Sequence, residues 1–246
     1  MEKGRDKLAA EESEMAAKLA IAVLSIVVEM LQYADDSNGE VGDKIEGSIC
    51  LIGDAASYSV ISNDKSLQKK VFQLIMKEVN NKRYDGWSDW RFDLLKICTK
   101  FSMEPFMREK LEKQLNQLLE EISTDNSSSS LKEYETKNVL LLQLEIFELN
   151  QEWERVGEFI YEHIQYRDFR EKAIRRELEN GNTRDALKLS KKGQIQDKEL
   201  PGLVKKWKEY ELKVYEVLED MENQWKLLLE FVYNNSFDIQ KIEKAI

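Results

Sequence analysis

The chain has 246 residues, 42% of them hydrophobic and 34% charged, with ten glycines, two prolines and a formal net charge of -10. This length allows one large domain or two modest ones with a packed core. The composition excludes collagen-like, disulfide-rich and broadly disordered proteins and favours helix over strand. The negative net charge disfavours nucleic-acid binding through the overall field alone.

Neither the cysteines nor the apolar runs indicate export or a membrane. Cys50 and Cys98 belong to no CxxC or CxC pattern, which excludes a zinc knuckle and a disulfide framework and fits the reducing cytoplasm. The first 18 residues mix acidic with basic side chains, unlike an export signal. The uncharged run 19–28 is half the length of a membrane span, so we predict a buried helix and no membrane association.

Apolar residues at steps of three and four predict five helices in the first half of the chain, over about 6–34, 40–60, 66–80, 89–99 and 103–122. Ser88 and Ser102 are the expected N-caps of the fourth and fifth. The acidic turn at 35–39 allows a calcium loop or a capping turn. We favour the capping turn, because a loop with Gly39 at its sixth position places Ala34 and Ile45 where carboxylate ligands are needed.

The polar stretch STDNSSSS predicts a flexible loop at 123–131, which divides a helical half at 1–122 from a second region at 132–246. In the second region, helices are expected to begin near residues 132, 166, 200 and 237, alternating with helices that begin near 151, 183 and 220. Gly181 and Gly193 are the expected helix ends. The spacing is close to the roughly 34-residue period of tetratricopeptide repeats. We therefore predict an all-α protein of stacked helical hairpins, a TPR-like α-solenoid.

Catalytic signatures are missing from the sequence. His163 is the only histidine, and we interpret it as a packing residue at a helix end. No phosphate-binding, metalloprotease or nucleophile-elbow motif occurs, so an enzyme would depend on carboxylates alone. We expect no catalytic residue, no metal ligand and no cofactor.

Two surfaces are candidates for binding a partner. Residues 164–213 carry 14 basic against 9 acidic side chains, and three cations project to one side of a predicted helix: Lys172, Arg175 and Arg176. Acidic neighbours four residues earlier favour an ordinary solvated face, but a basic groove for an acidic partner stays open as an alternative. Trp87 and Trp90, beside Gly86, are either core residues or exposed anchors for a partner.

Three stretches carry a resemblance to a known family: YADDSNGEVGDKI at 33–45, YDGWSDWRFDLL at 84–95, and the segment from ELENGNTRDALKLSKKGQ through LPGLVKKWKEYELKVYEVL at 177–218. They resemble the long helical region of bacterial SWIM zinc-finger proteins. The zinc module of that family has a separate CxC and CxH pattern, which this chain does not contain. The resemblance therefore implies a helical fold and an accessory role, and it implies no zinc ligand among Cys50, Cys98 and His163.

These observations lead to one principal expectation and one alternative. We expect a non-catalytic, cytoplasmic helical-repeat scaffold for protein–protein interaction. The last apolar pattern has no terminating residue, so we expect this scaffold to be a fragment of a larger SWIM zinc-finger-like protein. The alternative is an accessory nucleic-acid-binding region acting through the basic segment 164–213. The sequence identifies neither the partner nor the oligomeric state.

Overall fold

A computed structural model describes residues 12–31, 33, 37, 39–125 and 127–233. These residues form eleven α-helices and one 3-10 helix, and they contain no strand, as the composition predicts. None of the described helices is long and apolar enough to cross a membrane. The chain divides into two compact units between Trp153 and Glu154.

The described residues of the first unit form six α-helices. They are α1 (Ser13–Met30), α2 (Glu40–Ile61), α3 (Lys65–Val79), α4 (Ser88–Thr99), α5 (Pro105–Thr124) and α6 (Ser129–Leu149), with the 3-10 helix Lys82–Tyr84 before α4. Local sequence explains several of the boundaries. The Asp64 carboxylate accepts hydrogen bonds from two backbone N–H groups at the start of α3, and Ser128 caps α6 in the same way. Pro105 lies in the first turn of α5, where its missing N–H costs nothing.

Packing in the first unit joins neighbours in sequence and also alternate helices. Each of α1 to α5 packs on the next helix, α1 also packs on α3, and α2, α4 and α6 pack in a row. The core between these helices is apolar. Phe72 and Phe101 meet edge to face at 5.7 Å in its centre, and Leu94 and Leu95 are fully buried. Burial of this apolar surface is the main stabilisation of the unit.

The second unit begins with α7 (Trp153–Glu162) and continues with α8 (Arg167–Glu179), α9 (Thr183–Gln196), α10 (Pro201–Val217) and α11 (Met221–Tyr233). Successive helices from α8 to α11 pack on one another. One apolar cluster surrounds Trp207, with Ile174, Ala186 and Val214. A second cluster joins α10 to α11 through Tyr215 and Phe231.

Several boundaries differ from those that the sequence predicts. The division between units falls at 153/154, not in the loop predicted at 123–131. Helices α5 and α6 leave only residues 125–128 between them and pack against each other. Ser102 does not cap α5, because its hydroxyl is buried and accepts a hydrogen bond from the Asn150 side chain at 3.0 Å. The calcium or capping turn at 35–39 and the helix start near 237 fall partly or wholly outside the described residues.

Gly193 does not end its helix, which continues to Gln196. A Cβ atom at this position would lie 2.8 Å from Cδ2 of the Trp207 indole ring. The glycine therefore serves close packing of α9 against α10. Gly181, by contrast, has a φ of 75° and follows α8, as expected of a helix-ending glycine.

Candidate interaction groove

An open groove runs along the first unit where α2 and α4 lie side by side. The α2 wall is formed by residues at one helical face: Glu46, Ile49, Cys50 and Gly53. The α4 wall is formed by Asp89, Trp90, Asp93, Lys96, Ile97 and Lys100, and Glu145 of α6 completes the lining. The cavity has a volume of about 640 Å³, within the range of pockets that bind ligands.

The floor of the groove is apolar. Ile97 is 7% exposed and lies beneath Gly53, where an added Cβ would be 3.7 Å from the isoleucine side chain. Ile49 and Trp90 are half-buried beside it. Because Gly53 has no side chain, the floor stays open above Ile97. A partner side chain placed here would bury apolar surface without first displacing a protein group.

Charged residues divide the groove into two ends. Asp89, Asp93 and Glu46 belong to one end, and Lys96 and Lys100 to the other. The Lys100 ammonium donates a hydrogen bond to the Ser57 hydroxyl at 2.6 Å, so this lysine is held against α2. The groove therefore has an acidic end and an end whose positive charge is partly engaged within the protein.

The three carboxylates at the acidic end differ in their hydrogen bonds within the described part of the chain. Asp89 accepts a hydrogen bond from the Tyr134 hydroxyl, whereas Glu46 and Asp93 form no hydrogen bond or ion pair within the described ranges. Burial raises the pKa of Asp93 and the negative charge of Asp89 raises it further; Lys96 lowers it in part, and Glu46 adds a smaller rise. A cation from outside would relieve this repulsion.

Of the predicted tryptophan pair, Trp90 lines the groove at its acidic end, and Trp87 packs on Trp90. The rings of Trp87 and Trp90 are stacked, with centroids 4.7 Å apart and an interplanar angle of 17°. Trp87 is 43% exposed, so the pair is not part of the core. It presents aromatic faces beside carboxylates, an environment that attracts cations electrostatically.

The two cysteines differ in accessibility. Cys50 is exposed on the groove wall. Cys98 is buried, and burial strongly raises the pKa of its thiol, so it is protected from thiol reagents in the folded chain. Cys50 is therefore a selective reporter of what occupies the groove.

The three cations of the predicted basic patch in the second unit interact with other groups of the chain. The Arg175 guanidinium donates to the Glu171 carboxylate at 2.5 Å and to the Tyr210 hydroxyl at 2.7 Å. Arg176 lies against Gly157 of α7, and both Arg176 and Lys172 interact with other groups of the chain. Their role as partner-binding residues stays a prediction.

Further cations of the segment 164–213 are paired in the same way. Asp197 accepts from Arg167 and Arg170, Glu171 from Lys206, and Glu211 is paired with Lys191.

His163 lies between Phe159 and Phe169, with ring centroids 4.5 and 5.5 Å away. This location agrees with a packing residue.

The described part of the chain holds no group of three or more histidine, cysteine, aspartate or glutamate side chains placed to bind a metal ion. Comparison of the chain with family models, curated proteins and solved structures finds no match. The relationship to SWIM zinc-finger proteins therefore stays a prediction.

Sequence reasoning identified Trp87 and Trp90 but missed the α2 wall. The usable signal was the pair Cys50 and Gly53, a small residue and a glycine inside a long apolar helix. Their meaning depends on which helix packs beside α2, and periodicity carries no information about that contact.

Proposed function

We propose that the protein is a non-catalytic helical scaffold that binds a protein partner in the α2/α4 groove. The proposal is supported by the row in which alternate helices α2, α4 and α6 pack on one another, as expected of the TPR-like solenoid that we propose. Solenoids of this kind use the layer of alternate helices as an extended binding surface. A partner segment bound between α2 and α4 would use the helix-in-groove mode of recognition.

One observation carries this proposal: the groove joins an open apolar floor to unpartnered carboxylates. Ile97 and Gly53 form a floor that no side chain fills. Glu46 and Asp93 stand beside it without a hydrogen bond or an ion pair in the described chain. Apolar contact area with a polar rim is the composition of protein–protein interfaces.

The charge pairing in the second unit supports a protein partner over nucleic acid. Phosphate binding requires lysine and arginine side chains that can exchange counterions for phosphates. In the basic segment, Arg170, Arg175 and Lys206 instead contact carboxylates of the same unit. The groove with the open floor is acidic, which repels phosphate.

The test is affinity capture of a partner by the full chain, followed by footprinting of the purified complex. We compare the wild type with Trp90→Ala and Ile49→Asp, which alter the groove. Trp225→Ala is the matched control, because Trp225 is 41% exposed and belongs to the second unit.

The proposal predicts a stoichiometric partner that is lost with both groove variants and retained by Trp225→Ala. The partner should also slow maleimide labelling of Cys50. Retention of the partner by both groove variants, or undiminished labelling of Cys50 in the complex, would overturn the proposal.

A further inference from the structure

We infer that the occupant of the groove is an amphipathic helical segment with arginine or lysine residues at one end. This inference rests on the proposed function and names its partner. The α2/α4 groove has an apolar floor along its length, three carboxylates with Trp90 at one end, and Glu145 beside two lysines at the other end. An occupant that matches both features needs an apolar stripe and a cationic end.

The length of the groove fits a helix of about three turns. From Asp89 to Lys100 the α4 wall covers eleven steps, which is roughly 16 Å at about 1.5 Å per residue. Its floor residues Trp90 and Ile97 are seven positions apart on one face of α4. A helix with apolar side chains at i, i+3 or i+4, and i+7 offers anchors at the same spacing.

The residues that face each other across the groove show at which end of α4 the acidic side chains lie. Glu46 acts on the charge of Asp93, Gly53 lies over Ile97, and Ser57 bonds Lys100. The two helices therefore run in the same direction, and all three carboxylates of the acidic end are grouped near the start of α4. Glu145 accepts a hydrogen bond from Thr99 at 3.2 Å and so lies beside Lys96 and Lys100, where it offsets part of their charge.

The aromatic pair makes arginine a better match than a neutral polar residue. Trp87 lies two residues before Asp89 in the sequence. One face of its ring stacks on Trp90, and 43% of the residue is exposed. A guanidinium group can lie on an indole face and pair with a carboxylate at the same time. Binding would give a close cationic partner to Glu46 and Asp93, which form no hydrogen bond or ion pair within the described residues.

The experiment measures binding of labelled synthetic helices to the full chain by fluorescence anisotropy. The probe is a peptide of about 12 residues with leucines on one face and three arginines at one end. It is made in both orders, with the arginines first or last. One comparison peptide has glutamates in place of the arginines, and another has the same composition without the apolar stripe.

The protein variants are Asp93→Lys and Glu46→Lys, and the control is Asp54→Lys. Asp54 is an exposed acid on α2 that does not line the groove. Circular dichroism establishes that each variant folds. Binding of one arginine peptide should fall at least about tenfold with Asp93→Lys or Glu46→Lys, because like charges then face each other. It should be nearly unchanged with Asp54→Lys, and bound peptide should protect Cys50 from maleimide.

Three outcomes would overturn the inference. They are equal binding of the glutamate peptide, equal loss with Asp54→Lys, and no binding of either arginine peptide. The first of these would leave the proposed scaffold function intact, because an apolar or acidic helix would still occupy the groove. Failure of the scaffold function itself would appear separately, as a captured partner that neither protects Cys50 nor responds to Trp90→Ala.

Discussion

Each unit contains a largely buried ion pair, Glu78 with Arg83 in the first and Arg170 with Asp197 in the second, and the units differ in the charges that they leave at their surfaces. In the first unit, the core around Phe72 and Phe101 is apolar, and the carboxylates of the groove face solvent. In the second unit, the buried Arg170 and Asp197 are paired at 2.9 Å between helices, beside Trp207. Charges that a unit buries within its own core are committed to folding, whereas charges left without a partner are available for binding. This difference is why we place the interaction site in the first unit.

The glycines repeat the contrast. Gly193 in α9 lets the Trp207 ring approach the backbone, so its absent side chain serves folding. Gly53 in α2 leaves ordinary contact space above Ile97, so its absent side chain does not serve packing. Both glycines lie inside helices, where the residue is unfavourable by roughly 1 kcal/mol relative to alanine. Replacing each glycine with alanine therefore tests whether its missing side chain is needed for packing.

Asp197→Ala is expected to have the largest effect. It leaves the Arg170 guanidinium, which is 2% exposed, without its counter-charge, and it removes the acceptor of the Trp207 indole N–H at 2.7 Å. Removing one member of a buried ion pair costs about 3–5 kcal/mol. Urea unfolding followed by tryptophan fluorescence should show this loss. The control is Glu199→Ala, an exposed acid two residues away, for which we expect little change.

Gly193→Ala should destabilise the second unit by about 1–3 kcal/mol, the usual cost of forcing extra volume into a packed site. The clash is with the indole ring, which is held by Asp197 and lies 5.4 Å from the Arg170 guanidinium. The matched variant is Gly202→Ala in the first turn of α10, where the new methyl meets no atom within 4 Å. Equal stability of the two variants, measured by urea unfolding, would show that α9 and α10 can separate without cost.

Much of the fold could be predicted from the sequence, because a helix is indicated by the spacing of apolar residues within a short stretch of chain. The stripe Met107, Leu111, Leu115, Leu118 and Ile122 is buried as its spacing predicts. Starts expected near 166 and 200 are observed at Arg167 and Pro201. The unit boundary was not predictable in this way, since it depends on whether α5 and α6 pack together across their short loop. The expectation for Gly193 was wrong, because a helix-ending glycine and a close-packing glycine look identical in sequence.

The candidate site was only partly predictable. An exposed tryptophan pair next to a glycine can be recognised without a structure, and Trp87 and Trp90 were found in this way. The other half of the groove comes from α2, about forty residues earlier, and tertiary contact alone brings Cys50 and Gly53 beside Ile97. In the basic segment, the sequence predicts that Glu171 offsets Arg175 four residues later, but not that Glu171 also binds Lys206 of α10.

Gly53→Ala should have a smaller effect of the opposite sign to Gly193→Ala. Helix propensity favours alanine, and the new methyl makes ordinary contact with Ile97 at 3.7 Å, so the first unit gains about 0.5–1 kcal/mol. The same methyl narrows the floor of the groove and should weaken binding of the arginine peptide. Resistance of the buried Cys98 to maleimide in intermediate urea measures the stability of this unit. A loss of stability would show that Gly53 is required for packing.

The smallest predicted effects concern pH, and they have opposite signs in the two units. Burial lowers the pKa of His163, although Glu162 acts in the opposite direction. The folded chain therefore binds this proton less readily than the unfolded chain. The stabilisation from neutral His163 is complete above a pH of about 6.5 and declines as the pH falls below that value. His163→Phe keeps an aromatic ring beside Phe159 and Phe169, so its stability relative to the wild type should rise as the pH falls.

Asp93 should show the reverse dependence, because its pKa is raised by burial and by Asp89 and Glu46. The folded chain takes up this proton first, so the first unit gains stability as the pH falls through the raised pKa towards about 3.9, the ordinary value of an aspartate. Asp93→Asn should therefore be more stable than the wild type at neutral pH, and the difference should shrink in acid. Solvent screening keeps both effects small. Urea unfolding of the wild type and the two variants from neutral to mildly acidic pH separates them, and slopes of the same sign would contradict the assignment of unrelieved repulsion to the groove.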